Sequence, residues 1–164
     1  MKRTRVAAFT LIELVVVITI LGILAAVAIP KLVALQVDAR IAKVNGALGS
    51  MKAAASLAHA VILTQGLPQT GPTTITMEGV VINMNNGYPR ADSIAAAAGI
   101  TAPDFNVGVP TGAGAGGLFA VIISSDLNHP LCAVTYTEAL AGTSPTYTNA
   151  LNPASTSIDR ANCS

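Results

Sequence analysis

The 164-residue sequence predicts an α+β fold: a long kinked N-terminal α-helix over about residues 10–64, with a small antiparallel β-sheet packed on its distal half. Three observations carry this. Residues 9–29 are almost wholly aliphatic, residues 31–64 keep an apolar stripe at helical spacing, and everything after Gly66 turns to Gly, Pro, Thr and Asn with short β-prone runs. Composition narrows the function classes. Hydrophobic residues make up 52% and charged residues only 10%, against about a quarter charged in ordinary soluble domains. The formal charge is +1, so no basic field exists to draw phosphates, and no nucleic-acid partner is expected.

Charge is distributed unevenly. Lys2, Arg3 and Arg5 lie in the first five positions with no acid, and the chain from Phe9 onward carries six basic against eight acidic groups. The run 9–29 has 21 residues and as a helix spans about 30 Å, the thickness of a bilayer's hydrocarbon. Its basic flank places the N-terminus in the cytoplasm and everything after Pro30 outside. A cleaved secretory signal shows a similar pattern, and Ala26-Val27-Ala28 supplies its cleavage site; the mature chain would then start at Ile29 as a soluble secreted binding domain. Glu13 argues against that reading, because a carboxylate inside an apolar run is costly and a signal peptide has no use for one.

Beyond Pro30, Val37, Ile41, Val44, Leu48, Met51, Ala55, Ala58 and Ile62 alternate spacings of four and three, one seam over about seven turns. Asp38, Arg40, Lys43, Asn45 and Lys52 fall off the seam, on a face expected to meet water. Proline at 30 removes one helical hydrogen bond and kinks the helix without ending it, and Gly22 weakens it further, so the stretch between them is where it bends or melts first. Residues 73–83 read as a hairpin or bulged strand around Gly79, 85–89 as a turn or loop, and 92–98 as a short helix capped by Asp92 or Ser93. The Gly-rich run 108–117 cannot hold a regular element. Residues 118–124 and 131–137 are the best strands, an antiparallel hairpin linked through 125–130, and 141–164 reads as low-complexity loop.

The strongest motif is a basic leader, a small residue at Ala8, then Phe9-Thr10-Leu11-Ile12-Glu13 entering about 16 apolar residues with Pro30 near their end. This resembles the class III signal of type IV pilins and of type II secretion pseudopilins, over residues 1 to about 55. The resemblance implies a pilin fold and a membrane peptidase that cuts between Ala8 and Phe9 and methylates the new amine on Phe9. Ala8 departs from the glycine the family nearly always has there. Glu13 would meet the N-terminal amine of a neighbouring chain, which offsets the cost of burying either charge and penalises any register that leaves them unpaired. The organisation then expected is a leader (1–8), a transmembrane and filament-core half of the helix (9–30), an amphipathic half (31–65) and a globular head (66–164). The implied partners are other pilin subunits in a homopolymer, the prepilin peptidase and methylase, an inner-membrane assembly platform with its separate ATPase, and the membrane that holds the precursor.

In an exported, oxidising setting Cys132 and Cys163 are expected to pair, which resembles the disulfide-bounded C-terminal region of type IV pilins; two free thiols are the alternative. Residues 36–41, Asn86-Gly87-Tyr88-Pro89 and 132–137 look like the mannose-sensitive haemagglutinin pilins. An enzyme is not expected. His59 and His129 have no nucleophile placed with them, and Glu78, Asp92, Asp104, Asp126, Glu138 and Asp159 lack metal-site spacing. Asp126 and Asn128 suit a calcium loop of the kind some pseudopilins have, but equally a plain turn. The run GAGAGG leads into a strand rather than a helix, so it fails as a phosphate loop. No cofactor is implied.

Overall fold

The computed structural model describes residues 9–112, 119–149, 158 and 160–164. The element order is α1 (Leu11–Thr64), β1 (Pro72–Met77), β2 (Val80–Asn85), β3 (Tyr88–Pro89), α2 (Ile94–Ala97), β4 (Asn106–Val107), β5 (Ala120–Ser124), β6 (Ala133–Thr137), β7 (Thr146–Asn149) and a closing 3-10 turn, Arg160–Cys163. The chain divides into two compact units between Gln36 and Val37. Helix α1 runs unbroken through Gly22 and Pro30. It stops at a Schellman motif: Gly66 takes a φ of 63°, its N–H donates to Leu63 O and the Leu67 N–H to Ile62 O. Leu67 then packs against the cluster that holds Ile62, so the turn that ends the helix also contributes to the core.

The expected single sheet is two sheets. The first is antiparallel β1-β2-β3, and its register sets Ile75 opposite Ile82. Glu78-Gly79 and Asn86-Gly87 join its strands, with φ of 49° and 82° in the first turn and 52° and 82° in the second. Two consecutive positive φ values define the type I′ turn, whose twist matches that of paired strands. The region around Gly79 is therefore a hairpin, and of residues 85–89 only Asn86 and Gly87 form the turn while Asn85 and Tyr88 pair. The second sheet is antiparallel, in the order β4-β5-β6-β7. Its central hairpin is the expected one, with Val121 opposite Tyr136 and Ile123 opposite Val134. Leu118 and the Gly-rich residues 113–117 lie outside the described residues.

Several expectations need correction. The short helix is one turn, Ile94–Ala97, and Ser93 at its N-cap position makes no side-chain cap. Its hydroxyl instead donates to Asp92 Oδ1 at 2.8 Å and accepts the Asn83 N–H at 3.2 Å, so β2 has taken the group that would have closed the helix. Strands β4 and β7 are additional to those the sequence predicts, and residues 146–149 and 160–163 give regular structure to a region that reads as loop.

Both sheets cover the expected seam, in succession. Val37, Val44, Met51 and Ala55 share a core with Val121, Ile123, Val134 and Tyr136 of the four-stranded sheet and with Ile94 and Ile100. Ala58 and Ile62 share a second core with Ile75, Ile82 and Met84 of the three-stranded sheet. Ile41 and Leu48 are half-buried at the margin of the first core. The Tyr136 hydroxyl donates to Pro89 O at 2.5 Å and links the sheets; burial pushes this phenol's pKa up.

Candidate functional site

The first unit is built for an apolar surround. From Leu11 to Leu35 the large aliphatic side chains are exposed, and the most apolar window of the helix, mean hydropathy 2.9, has no part buried within the chain. The helix is long and apolar enough to cross a membrane. Phe9, the first described residue, is 86% exposed; Ala8 lies outside the described residues.

Glu13 is the one charged side chain between Phe9 and Pro30. Its Oε2 accepts the Thr10 N–H at 2.9 Å and the Thr10 hydroxyl at 2.8 Å, while Thr10 Oγ1 accepts the Glu13 N–H at 3.3 Å. This reciprocal arrangement is a capping box: Thr10 is the N-cap, Glu13 is the third helical residue, and each satisfies a backbone donor the helix end leaves open. Unpaired donors are most expensive in an apolar medium, so the box lets the helix start where water is scarce. Thr10 is the functional residue the sequence reading missed. The signal for it is Thr-x-x-Glu ahead of an apolar run.

Gly22 is helical with open space around the position a Cβ would take, and Pro30 sits inside the helix. At the other end of the chain Cys132 and Cys163 form a disulfide with Cα atoms 4.7 Å apart. The bridged turn is latched to the start of the head's share of α1. Arg40 Nη1 donates to Cys163 O at 2.9 Å, Arg160 pairs with Asp38, and Lys43 Nζ donates to Ser125 O at 2.8 Å. Lys43 and Lys52 also lie over the rings of Phe105 and Tyr147. The residues expected on a water-facing side thus include Asp38, Arg40, Lys43 and Lys52, which grip the loops and strands flanking the seam; long cationic stems cover apolar surface while their heads find acceptors.

The loop 125–130 uses Asp126 as a turn former. Its Oδ1 accepts the Asn128 N–H at 2.9 Å and the His129 N–H at 2.9 Å and lies 2.8 Å from His129 Nδ1, with Arg40 Nε 3.7 Å from Oδ2. Partial burial raises the Asp126 pKa, but the hydrogen bonds from His129, Asn128 and Ser125 outweigh it and hold the carboxyl below its ordinary range. His59 stacks on Tyr88 with ring centroids 4.4 Å apart, its Nδ1 2.9 Å from Gly87 O. Gly87 is favoured there by its φ of 82°, and a Cβ would also sit tightly, 3.1 Å from His59 Nδ1. Glu138 is buried and accepts the Ala91 N–H at 2.7 Å. Among the described residues no group of three or more His, Cys, Asp or Glu side chains converges as a metal site.

Residues 3–29 match the family model of the prokaryotic N-terminal methylation motif. No solved structure matches the chain. The motif, the exposed apolar helix behind it and the α+β head together support a type IV pilin-like or pseudopilin-like protein with a membrane-anchored precursor, a class whose work is structural.

Proposed function

We propose that the chain is a prepilin whose mature form, residues 9–164, polymerises through its N-terminal helix into a type IV pilus, a surface filament for adhesion and motility. The observation that carries this reading is the exposure of every large aliphatic side chain from Leu11 to Leu35, in a helix that the methylation motif enters. Cutting between Ala8 and Phe9 keeps that helix, so it serves first as a membrane anchor and then, when copies replace lipid, as the polymer interface. In the filament Glu13 exchanges its bond to Thr10 for the α-amine of a neighbouring Phe9, and Gly22 and Pro30 give the packed helices a place to bend. The pilus is favoured over a secretion pseudopilus by the disulfide-closed C-terminal region. The mannose-sensitive haemagglutinin subgroup rests on the three short runs named above.

Intact mass of the exported protein tests the reading. A product starting at methylated Phe9 supports it, and one starting at Ile29 replaces it with a soluble secreted domain. Imaging cells that lack this chain then checks the polymer: surface filaments should disappear and return with the unaltered gene.

A further inference from the structure

Charged side chains of the described residues are almost all partnered within the chain. Arg40, Lys43, Lys52, Arg90 and Arg160 each have an acceptor, an acid or a ring, and Asp38, Asp92, Asp126 and Glu138 each have a donor. Among the described residues Lys31 is the one Lys or Arg left without a side-chain partner, and Glu78 and Asp104 are the acids so left.

The surroundings of Lys31 and Glu78 are unusual. Lys31 stands in an exposed aliphatic stretch where Ile29, Leu32, Val33 and Leu35 are each more than half exposed. Glu78 stands at the rim of an apolar groove of about 270 Å³, between α1, the β1-β2 turn and α2, lined by Ala53, Leu57, Met77, Val80 and Ala97. The Glu78 backbone is left-handed at φ 49°, the first central position of a type I′ turn. Asn, Asp or Gly relieve the Cβ clash there or bond locally, and Glu does neither. A strained residue with a charge unpaired within the chain, beside an apolar groove, is the kind of outlier that points to a contact made outside the chain.

We infer that the groove beside Glu78 receives residues 29–35 of a second copy, with the Lys31 ammonium of that copy on the Glu78 carboxylate and Leu32 or Val33 filling the apolar space. The inference rests on the polymer proposed above and names one of its contacts. The two patches are different surfaces of the same chain, so the contact is heterologous. It leaves a free groove on one copy and a free Lys31 on the other, and repeats into an open assembly. The aliphatic side chains supply the burial. The exposed ion pair adds little affinity, but it fixes which turn of the incoming helix docks, since any other register leaves both charges unpaired against apolar surface.

Zero-length carbodiimide treatment of unaltered sheared filaments tests this directly. A ladder of covalent oligomers containing a Lys31–Glu78 isopeptide is expected, with the same link missing from detergent-dispersed monomers. Finding the link within single chains, or finding Lys31 joined only to other acids, overturns the inference. Charge reversal gives the second arm, with filament yield normalised to membrane-held protein. Lys31→Glu and Glu78→Lys should each lower yield about five-fold, and the double reversal should recover most of it. Singles that assemble normally, or a double no better than the singles, overturn it too. If the unaltered chain forms no filaments, the polymer reading itself has failed; if it forms them and the reversals have no effect, only this contact has.

Discussion

The two halves of α1 use the same aliphatic alphabet to opposite ends. All eight buried residues of the helix, Val37 to Ile62, lie on the C-terminal side of the division between Gln36 and Val37, and none lies before it. The second half interrupts its apolar residues with charged and small ones and finds cover in the chain's own two sheets. The first half is apolar all round, the pattern of a helix whose partner is lipid or other helices. Local propensity therefore does not distinguish the halves; what distinguishes them is where the covering surface comes from. The first half should govern assembly without touching the stability of the head, whereas the seam of the second half should govern that stability.

Glu13→Ala should separate these most sharply. Filaments should be lost while the protein stays in the membrane and the head's thermal unfolding is unchanged; normal filaments in this variant would remove the role given to Glu13, leaving only its helix cap. Removing the disulfide with Cys132→Ser and Cys163→Ser should destabilise the head by about 3.5 kcal/mol, from the entropy of the loop it closes, measured by denaturant unfolding. Met51→Ala empties a fully buried position between helix and sheet and should cost about 3 kcal/mol by the same measurement. Ile18→Ala in the first half should leave that value unmoved, and a matching loss there would mean the halves are not independent.

The smallest effect is acid-dependent. The Asp126 carboxyl titrates below its ordinary value of 3.8 in the folded chain, so the stabilisation it gives is complete above that value and is lost as pH falls through the folded-state value. Amide protection in residues 125–129, measured against the intrinsic exchange rate at each pH, should therefore fall below about pH 4, and Asp126→Asn should show lower protection already at neutral pH with that acid-dependent fall gone.

The sequence made the helix and its seam plain because burial against one surface imposes a period of three and four that no local chemistry obscures. It also made the central hairpin plain, since Val121, Ile123, Val134 and Tyr136 are large and regularly spaced. The rest depended on pairing at a distance. Strand β7 is Thr-Tyr-Thr-Asn and β4 only two residues, too polar or too short to stand out from loop, and each exists because a neighbouring strand offers it a ladder. The division into two sheets is invisible locally for the same reason. At the candidate site, the methylation motif is legible in its own residues and the cysteine pairing follows from two cysteines in an exported chain, whereas the latch of Asp38 and Arg40 joins residues more than a hundred positions apart.

That latch has a consequence for how the head comes into being. Its contacts join residues separated by 122 and 123 positions, and the disulfide needs Cys163. A chain emerging N-terminus first can form α1 at once, but the cover over Val37, Val44 and Met51 is not locked until the final turn arrives. Contacts of such separation are slow to form, and an apolar seam waiting for them is open to wrong partners. If the first half is held in a membrane as proposed above, it would keep each nascent chain apart from the next during that interval, and the anchor would aid folding before it served as a polymer interface.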